Sequence, residues 1–429
     1  MAERSDADYG LLAAELAEEN NIEGLSRLWA RLASQAPPSP GLQLAVAGAA
    51  LRAGGGELAL AAALAVGAGE PAPAPDVDAE AQRLAGRALL ARGDVEAALA
   101  LARRQVQRHP GVDSELEHAS LLAAAGHDEE ALAALAGLDE RHGEQPAARR
   151  LRGLISIESG DLEAAWEQFQ GLVSHDELGA ESCFRLAELA MRQQQLEMAV
   201  QMLVRIEDGP WLLPARDALA RLVAARGDLA MAMQVFDALV AQHPELGLDV
   251  ARRRASLLER QGDLQGALEL LDDIVRYRPD DAGLRLGRGA LLEQMGRIEP
   301  ALADMAVAVR LMPDDAMALN AYGYTLASHA SRRAEAYRLV RRALEREPDD
   351  PAILDSYGWI LYRQGNLARA RSYLELAHAR LPDPEVAAHL GEVLWQQGEH
   401  ERARQLWEDA LQLAPDSRPL RDTMARFPR

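Results

Sequence analysis

The sequence predicts an all-α chain of about twelve helix–turn–helix units stacked in one array. Three observations carry that prediction. Alanines recur at Ala98, Ala131, Ala165, Ala199, Ala232, Ala267, Ala301, Ala336, Ala370 and Ala403, in steps of 33 to 35 residues. A second column, seven residues ahead of each turn, holds only Gly or Ala: Gly86, Ala119, Gly153, Ala187, Ala220, Ala255, Gly289, Gly323, Gly358 and Gly391. Larger side chains there would hold two helices apart. Composition agrees, because 48% of residues are hydrophobic but only 4% aromatic, and Ala and Leu favour closely packed helices over sheet.

The clearest unit runs from Pro351 to Pro382. Leu354, Tyr357, Gly358 and Leu361 share one face of a first helix, Gly365-Asn366 breaks it, and Ala370, Leu374 and Ala377 mark a second helix that stops before Pro382. Turn glycines repeat at 93, 126, 160, 227, 262, 296, 365 and 398, as helix C-caps require. Prolines at 110, 244, 279, 313, 348, 382 and 415 close second helices. Taken in order, residues 6–40 read as a degenerate unit with Ala13, Asn20-Asn21 at its turn, Trp29 and Pro37. Residues 41–68 read as a second, truncated one around Gly48 and Gly54-Gly55-Gly56, and PAPAP at 71–75 as a stiff connector. Regular units then start near 79, 112, 146, 180, 213, 248, 282, 316, 351 and 384. The division is 1–78 for the degenerate repeats and connector, 79–417 for the regular array and 418–429 for a short tail. Within the array Trp407, Phe169 and Phe236, like Trp29 upstream, fall on the core face of second helices.

A period near 34 with this spacing of small, aromatic and proline positions resembles the tetratricopeptide repeat. That resemblance implies a right-handed superhelix with first helices on the concave side. Each unit alone would leave an apolar face uncovered, so stability comes from stacking on its neighbours.

Net charge is −21, of which residues 1–247 carry −18 and residues 248–429 only −3. An acidic chain is a poor match for nucleic acid. All 46 basic residues are arginine, which removes a P-loop lysine, a Schiff-base lysine and a lysine general base together. Cys183 stands alone, so neither an intrachain disulfide nor a cysteine zinc cluster can form. No stretch approaches the roughly 18 apolar residues of a membrane span, and MAERSDADYG lacks the pattern of an export signal.

Chemistry finds no foothold. The ten histidines lie scattered, with no pair three or four apart on one helix, so no metal is expected. Gly54-Gly55-Gly56 lacks the spacing of a dinucleotide loop, and no cofactor is expected. Asp128-Glu129-Glu130, Asp280-Asp281, Asp314-Asp315 and Asp349-Asp350 sit where carboxylates cap helix N-termini. An enzyme, for example a hydrolase of cell-wall polymers, would need a convergent titratable set, and no insertion between repeats is long enough to house one.

The last three regular units carry more aromatics than their core needs. Nine of the eighteen aromatic residues lie within 316–417. On the stripe of the first helices opposite the core columns lie Asn320, Tyr324 and Ser328, then Asp355, Trp359, Tyr362 and Arg363, then Glu392, Trp395 and Gln396. In tetratricopeptide repeats that stripe turns to the concave groove, so the resemblance implies a protein-binding surface made of these residues. Concentrated Trp, Tyr and Arg are what binding hot spots use. The other reading is that Trp359 and Trp395 pack between neighbouring first helices.

The segments DDPAILDSYGW (349–359), YRQGN (362–366) and PDPEVAAHLGEVLW (382–395) resemble the C-terminal repeats of a proteobacterial group of outer-membrane tetratricopeptide lipoproteins. That resemblance implies a non-enzymatic adaptor that delivers cell-wall hydrolases to a periplasmic carboxyl-terminal processing protease. Its place would be the periplasmic side of the outer membrane, held there only by a lipid anchor absent from this sequence. A cytosolic repeat scaffold or co-chaperone is the alternative, and suits the missing signal.

Overall fold

The computed structural model describes residues 5–18, 21–35, 38–67, 73–329 and 332–427. Asn20, Pro37 and Pro71, assigned to turns and the connector from sequence, lie outside them. Among the described residues the secondary structure is entirely helical, and two compact units divide the chain at Ala215/Arg216.

The first unit holds α1 (Asp6–Glu18), α2 (Ile22–Gln35), α3 (Pro40–Arg52), α4 (Gly56–Gly67), α5 (Pro75–Ala91) and α6 (Val95–Arg108). It continues with α7 (Val112–Ala124), α8 (Asp128–His142), α9 (Pro146–Ser159), α10 (Leu162–Gln170), α11 (Gly179–Arg192) and α12 (Leu196–Val204). The division falls inside α13 (Leu212–Ala225). The second unit then holds α14 (Leu229–Gln242), a short 3₁₀ turn (Pro244–Leu246), α15 (Gly247–Arg260), α16 (Leu264–Tyr277), α17 (Ala282–Gln294) and α18 (Ile298–Leu311). It ends with α19 (Ala316–His329), α20 (Arg333–Arg346), α21 (Pro351–Arg363), α22 (Leu367–Arg380), α23 (Pro384–Gln396), α24 (His400–Leu413) and α25 (Arg418–Arg426).

From α5 to α24, odd helices are first helices and even ones second helices, and the hairpins follow the sequence columns. All eight turn glycines have φ between 73° and 89°, the left-handed conformation that closes a helix at no steric cost. The remaining described turn shows the need for it: Gln194 takes φ 59° at the place glycine fills elsewhere. Asp281, Asp315 and Asp350 accept hydrogen bonds from the amides of Leu284, Ala318 and Ile353 at 2.7–2.9 Å, as helix caps.

Packing follows from the two small-residue columns. The ten alanines at the start of second helices are completely buried. Gly153 faces Phe169 and Gly358 faces Leu374 so closely that a Cβ on either glycine would lie 2.7 Å from its partner. At Gly391 the added atom would collide with the Trp407 indole. Phe169, Phe236 and Trp407 are buried, and Trp29 is half-buried against the N-terminal core of α1 to α4.

Arginine forks tie one first helix to the next. Arg87 grips Glu117 at 2.9 and 2.7 Å, and Arg150 grips Glu181 at 2.7 and 2.9 Å. Residues 418–426, part of the stretch read as a short tail, form α25 against α23 and α24, with Leu420 fully buried. No described helix is long and apolar enough to cross a membrane.

Candidate protein-binding site

First helices α19, α21 and α23 stand side by side in the second unit, and this brings the aromatic stripe together. Its centre is a stack. The Trp359 ring lies on the His389 imidazole with centroids 4.0 Å apart and planes 19° apart, and Tyr362 flanks Trp359 at 5.1 Å. Arg363 reaches over the same indole, its guanidinium carbon 6.0 Å from the centroid. Only 8% of Trp359 remains exposed. The indole is therefore mainly an inter-helix packing element.

Beneath the stack lies a polar network. His389 Nδ1 is 3.0 Å from both carboxylate oxygens of Asp355, and both residues are buried. Burial by itself pushes His389 down, but the charge and hydrogen bond of Asp355, with Glu385 and Glu392 behind it, outweigh burial and raise its pKa. Tyr324 donates to Glu385 Oε1 at 2.6 Å, and its phenol is pushed far up by burial and then by the Glu385 charge. Tyr362 donates to Glu392 Oε1 at 2.9 Å and is pushed up to about 12, first by burial and then by Glu392. Arg426 of α25 closes the row with a 2.7 Å bond to Glu392 Oε2.

Trp395 sits at the far end. It stacks on His400 at 4.3 Å, meets Phe427 at 5.3 Å and lies 6.0 Å from Trp407, with Arg404 over its ring at 5.1 Å. Asn320 and Tyr324 are half-buried, and Asn320 Oδ1 is buried without a hydrogen-bond partner among the described residues. Arg363 and Gln396 are exposed. Ser328 is half-buried on α19 beside Asn320 and Tyr324, and the other nine stripe residues divide as follows. Asp355, Trp359 and Glu392 form a buried seam; Asn320, Tyr324, Tyr362 and Trp395 stand at its edge; Arg363 and Gln396 face water.

His389, Glu385 and Arg426 complete this arrangement and do not stand out in the sequence. Their spacing gave no signal, since His389 follows Asp355 by 34 residues whereas the columns here repeat after 33, from Gly358 to Gly391. Among the described residues there is no group of three or more His, Cys, Asp or Glu placed to hold a metal ion.

Residues 252–316, 325–383 and 358–418 each match the family model of the tetratricopeptide repeat. Residues 252–316 and 325–418 carry tetratricopeptide repeats. Over 200 residues it is 32% identical to a TPR repeat-containing protein of Pseudomonas aeruginosa, a match that covers 47% of this chain and 34% of that protein. It is 27% identical over 197 residues to cellulose synthase operon protein C of Xanthomonas axonopodis pv. citri, covering 46% of this chain and 12% of that one. The chain therefore spans about a third and about an eighth of the lengths of these relatives. Two solved tetratricopeptide-repeat structures are also similar. One, from Parabacteroides merdae, has a TM-score of 0.40 and 15% identity, covering 65% of this chain and 97% of that one. The other, from Thermus thermophilus, has a TM-score of 0.38 and 21% identity, covering 42% and 97%. Tetratricopeptide repeats imply a scaffold for protein–protein interaction and are typically non-catalytic, which is what the matched residues indicate.

Proposed function

We propose that this tetratricopeptide-repeat chain is a non-enzymatic adaptor that brings cell-wall hydrolases to a periplasmic carboxyl-terminal processing protease, working at the periplasmic side of the outer membrane. The observation that carries this reading is the likeness of residues 349–359, 362–366 and 382–395 to the C-terminal repeats of that adaptor group. Those segments supply most of the stripe on α21 and α23. Its solvent-facing members, Arg363 and Gln396 with the edges of Tyr324, Tyr362 and Trp395, make the contact surface. The buried Asp355–His389–Trp359 stack holds that surface rigid, which lowers the entropic cost of binding.

Promotion of proteolysis follows from co-binding. A protease and a substrate held on one scaffold meet at an effective concentration on the order of millimolar, with no new chemistry. The test is a reconstituted digestion of a cell-wall hydrolase by the protease, with and without the full chain. Cleavage should speed up at least about tenfold when the chain is added, and Arg363→Glu combined with Gln396→Ala should remove most of the gain at unchanged Tm. No acceleration by the wild-type chain would refute the adaptor role. Acceleration untouched by the double variant would refute the surface assignment.

A further inference from the structure

The first unit contains a defect in its own repeat pattern. Four residues after the column alanine, nine of the ten aligned second helices bury a large side chain: Phe169, Phe236 and Trp407 in three, and Leu, Met or Val in the other six. In α6 that place is held by Ala102. Across the hairpin stands Gly86, whose nearest neighbour is Leu121 of α7 rather than any side chain of α6. The missing volume appears as a cavity of about 320 Å³ bounded by α5, α6 and α7, of the size that ligand pockets have.

The lining has a direction. Leu121 and Val112 give it apolar wall, while Gln82, Gln105 and Ser114 add hydrogen-bonding groups. Gln105 is itself a departure, because the same place in the other nine hairpins is Leu, Ile or Ala. A second cavity of about 260 Å³, bounded by α5, α7 and α9, shares Arg83, Asp113 and Glu117 with the first. Arg83 is bound by Glu80 and Glu117 by Arg87, whereas the Asp113 carboxylate has neither hydrogen bond nor ion pair among the described residues.

We propose that this cavity receives one aromatic side chain of a partner polypeptide, with a neighbouring lysine or arginine of the partner set against Asp113. The fold already shows that an aromatic ring fits at this place, as Phe169 does against Gly153. The cavity exceeds one missing ring, which leaves room for the backbone that carries it. Two adjoining cavities along α5 and α7 suit an extended chain better than a compact molecule. A basic neighbour matches both Asp113 and the −18 charge of residues 1–247. The site belongs to the first unit and the stripe of the C-terminal hairpins to the second. It rests on the scaffold class alone and stands or falls separately from the protease reading.

A random decapeptide display library selected on the full chain tests it, with Ala102→Phe as the counter-selected protein. Enriched peptides should share an aromatic residue beside a basic one. In fluorescence anisotropy they should bind Ala102→Phe about tenfold or more weakly, Asp113→Asn several-fold more weakly, and the wild type about tenfold more weakly once their aromatic is changed to Ala. Ala102→Phe should keep or raise Tm, since it fills a void, and Ala102→Leu gives the same readout should the larger ring disturb folding. The proposal fails if no peptide is enriched, if enriched peptides lack an aromatic, or if they bind the filled variants as well as the wild type. Equal competition by phenethylamine would show that a small aromatic amine, not a polypeptide, is the occupant.

Discussion

Single positions in this chain are set by what stands opposite them. The column of small residues at the hairpin crossing was legible in the sequence as Gly or Ala, but the choice between the two was not, because it depends on a partner about sixteen residues on. Gly391 opposes Trp407, and even a methyl group would meet the indole. Gly391→Ala should therefore cost about 2–3 kcal/mol through overpacking, read as a fall in the urea midpoint. Gly287 is the control, exposed on α17 with nothing within 4 Å of an added Cβ. Gly287→Ala should gain about 0.5–1 kcal/mol from reduced backbone freedom in the unfolded chain. The same dependence on partners explains what the sequence left hidden at the candidate site. Trp359 was visible as a surplus aromatic, but its partner His389 lies in a different column of the next repeat, one place nearer that repeat's small residue than Asp355 is to Gly358. Ten scattered histidines gave no reason to single it out.

At the scale of helices, α21 and α23 are joined by a charge pair that reports on pH. The groups facing His389 are Asp355 from α21, Glu385 and Glu392 from its own helix, and Tyr324 from α19. Its folded pKa is raised above the ordinary 6.5. A group of that kind stabilises the fold fully below the unfolded pKa, and the contribution is lost as pH rises through the folded pKa. The Tm difference between wild type and His389→Gln should thus be largest near pH 6 and shrink steadily towards pH 9. A difference that is flat, or that grows with pH, would mean that the imidazole is held neutral. α25 is the other lesson at this scale. Residues 418–426 have no repeat column to betray them, yet Leu420 is fully buried and Arg426 reaches Glu392. A terminal helix that covers the last hairpin breaks the periodicity by its nature, so periodicity could not reveal it.

Within each unit, helices pack mainly on their neighbours in sequence, and this has a consequence for how stability is distributed. In such an array the free energy is a sum of hairpin terms and nearest-neighbour terms, so a lesion weakens its own region first. The two units, residues 1–215 and 216–429, each hold separate apolar clusters. The largest in the second unit runs from α18 to α25 around Tyr357, Leu374 and Trp407. Gly391→Ala strikes inside that cluster. Amide hydrogen exchange of the variant should therefore show protection lost across α21 to α25, while α5 to α12 keep wild-type exchange rates. A domain that unfolds as one cooperative body would lose protection evenly from α5 onward, and that outcome would refute the additive picture. Additivity also bears on the two proposed binding surfaces. If hairpins respond locally, a peptide seated against Ala102 leaves the stripe on α21 and α23 unchanged, so the two proposed surfaces could be filled at once, as the proposed adaptor role requires.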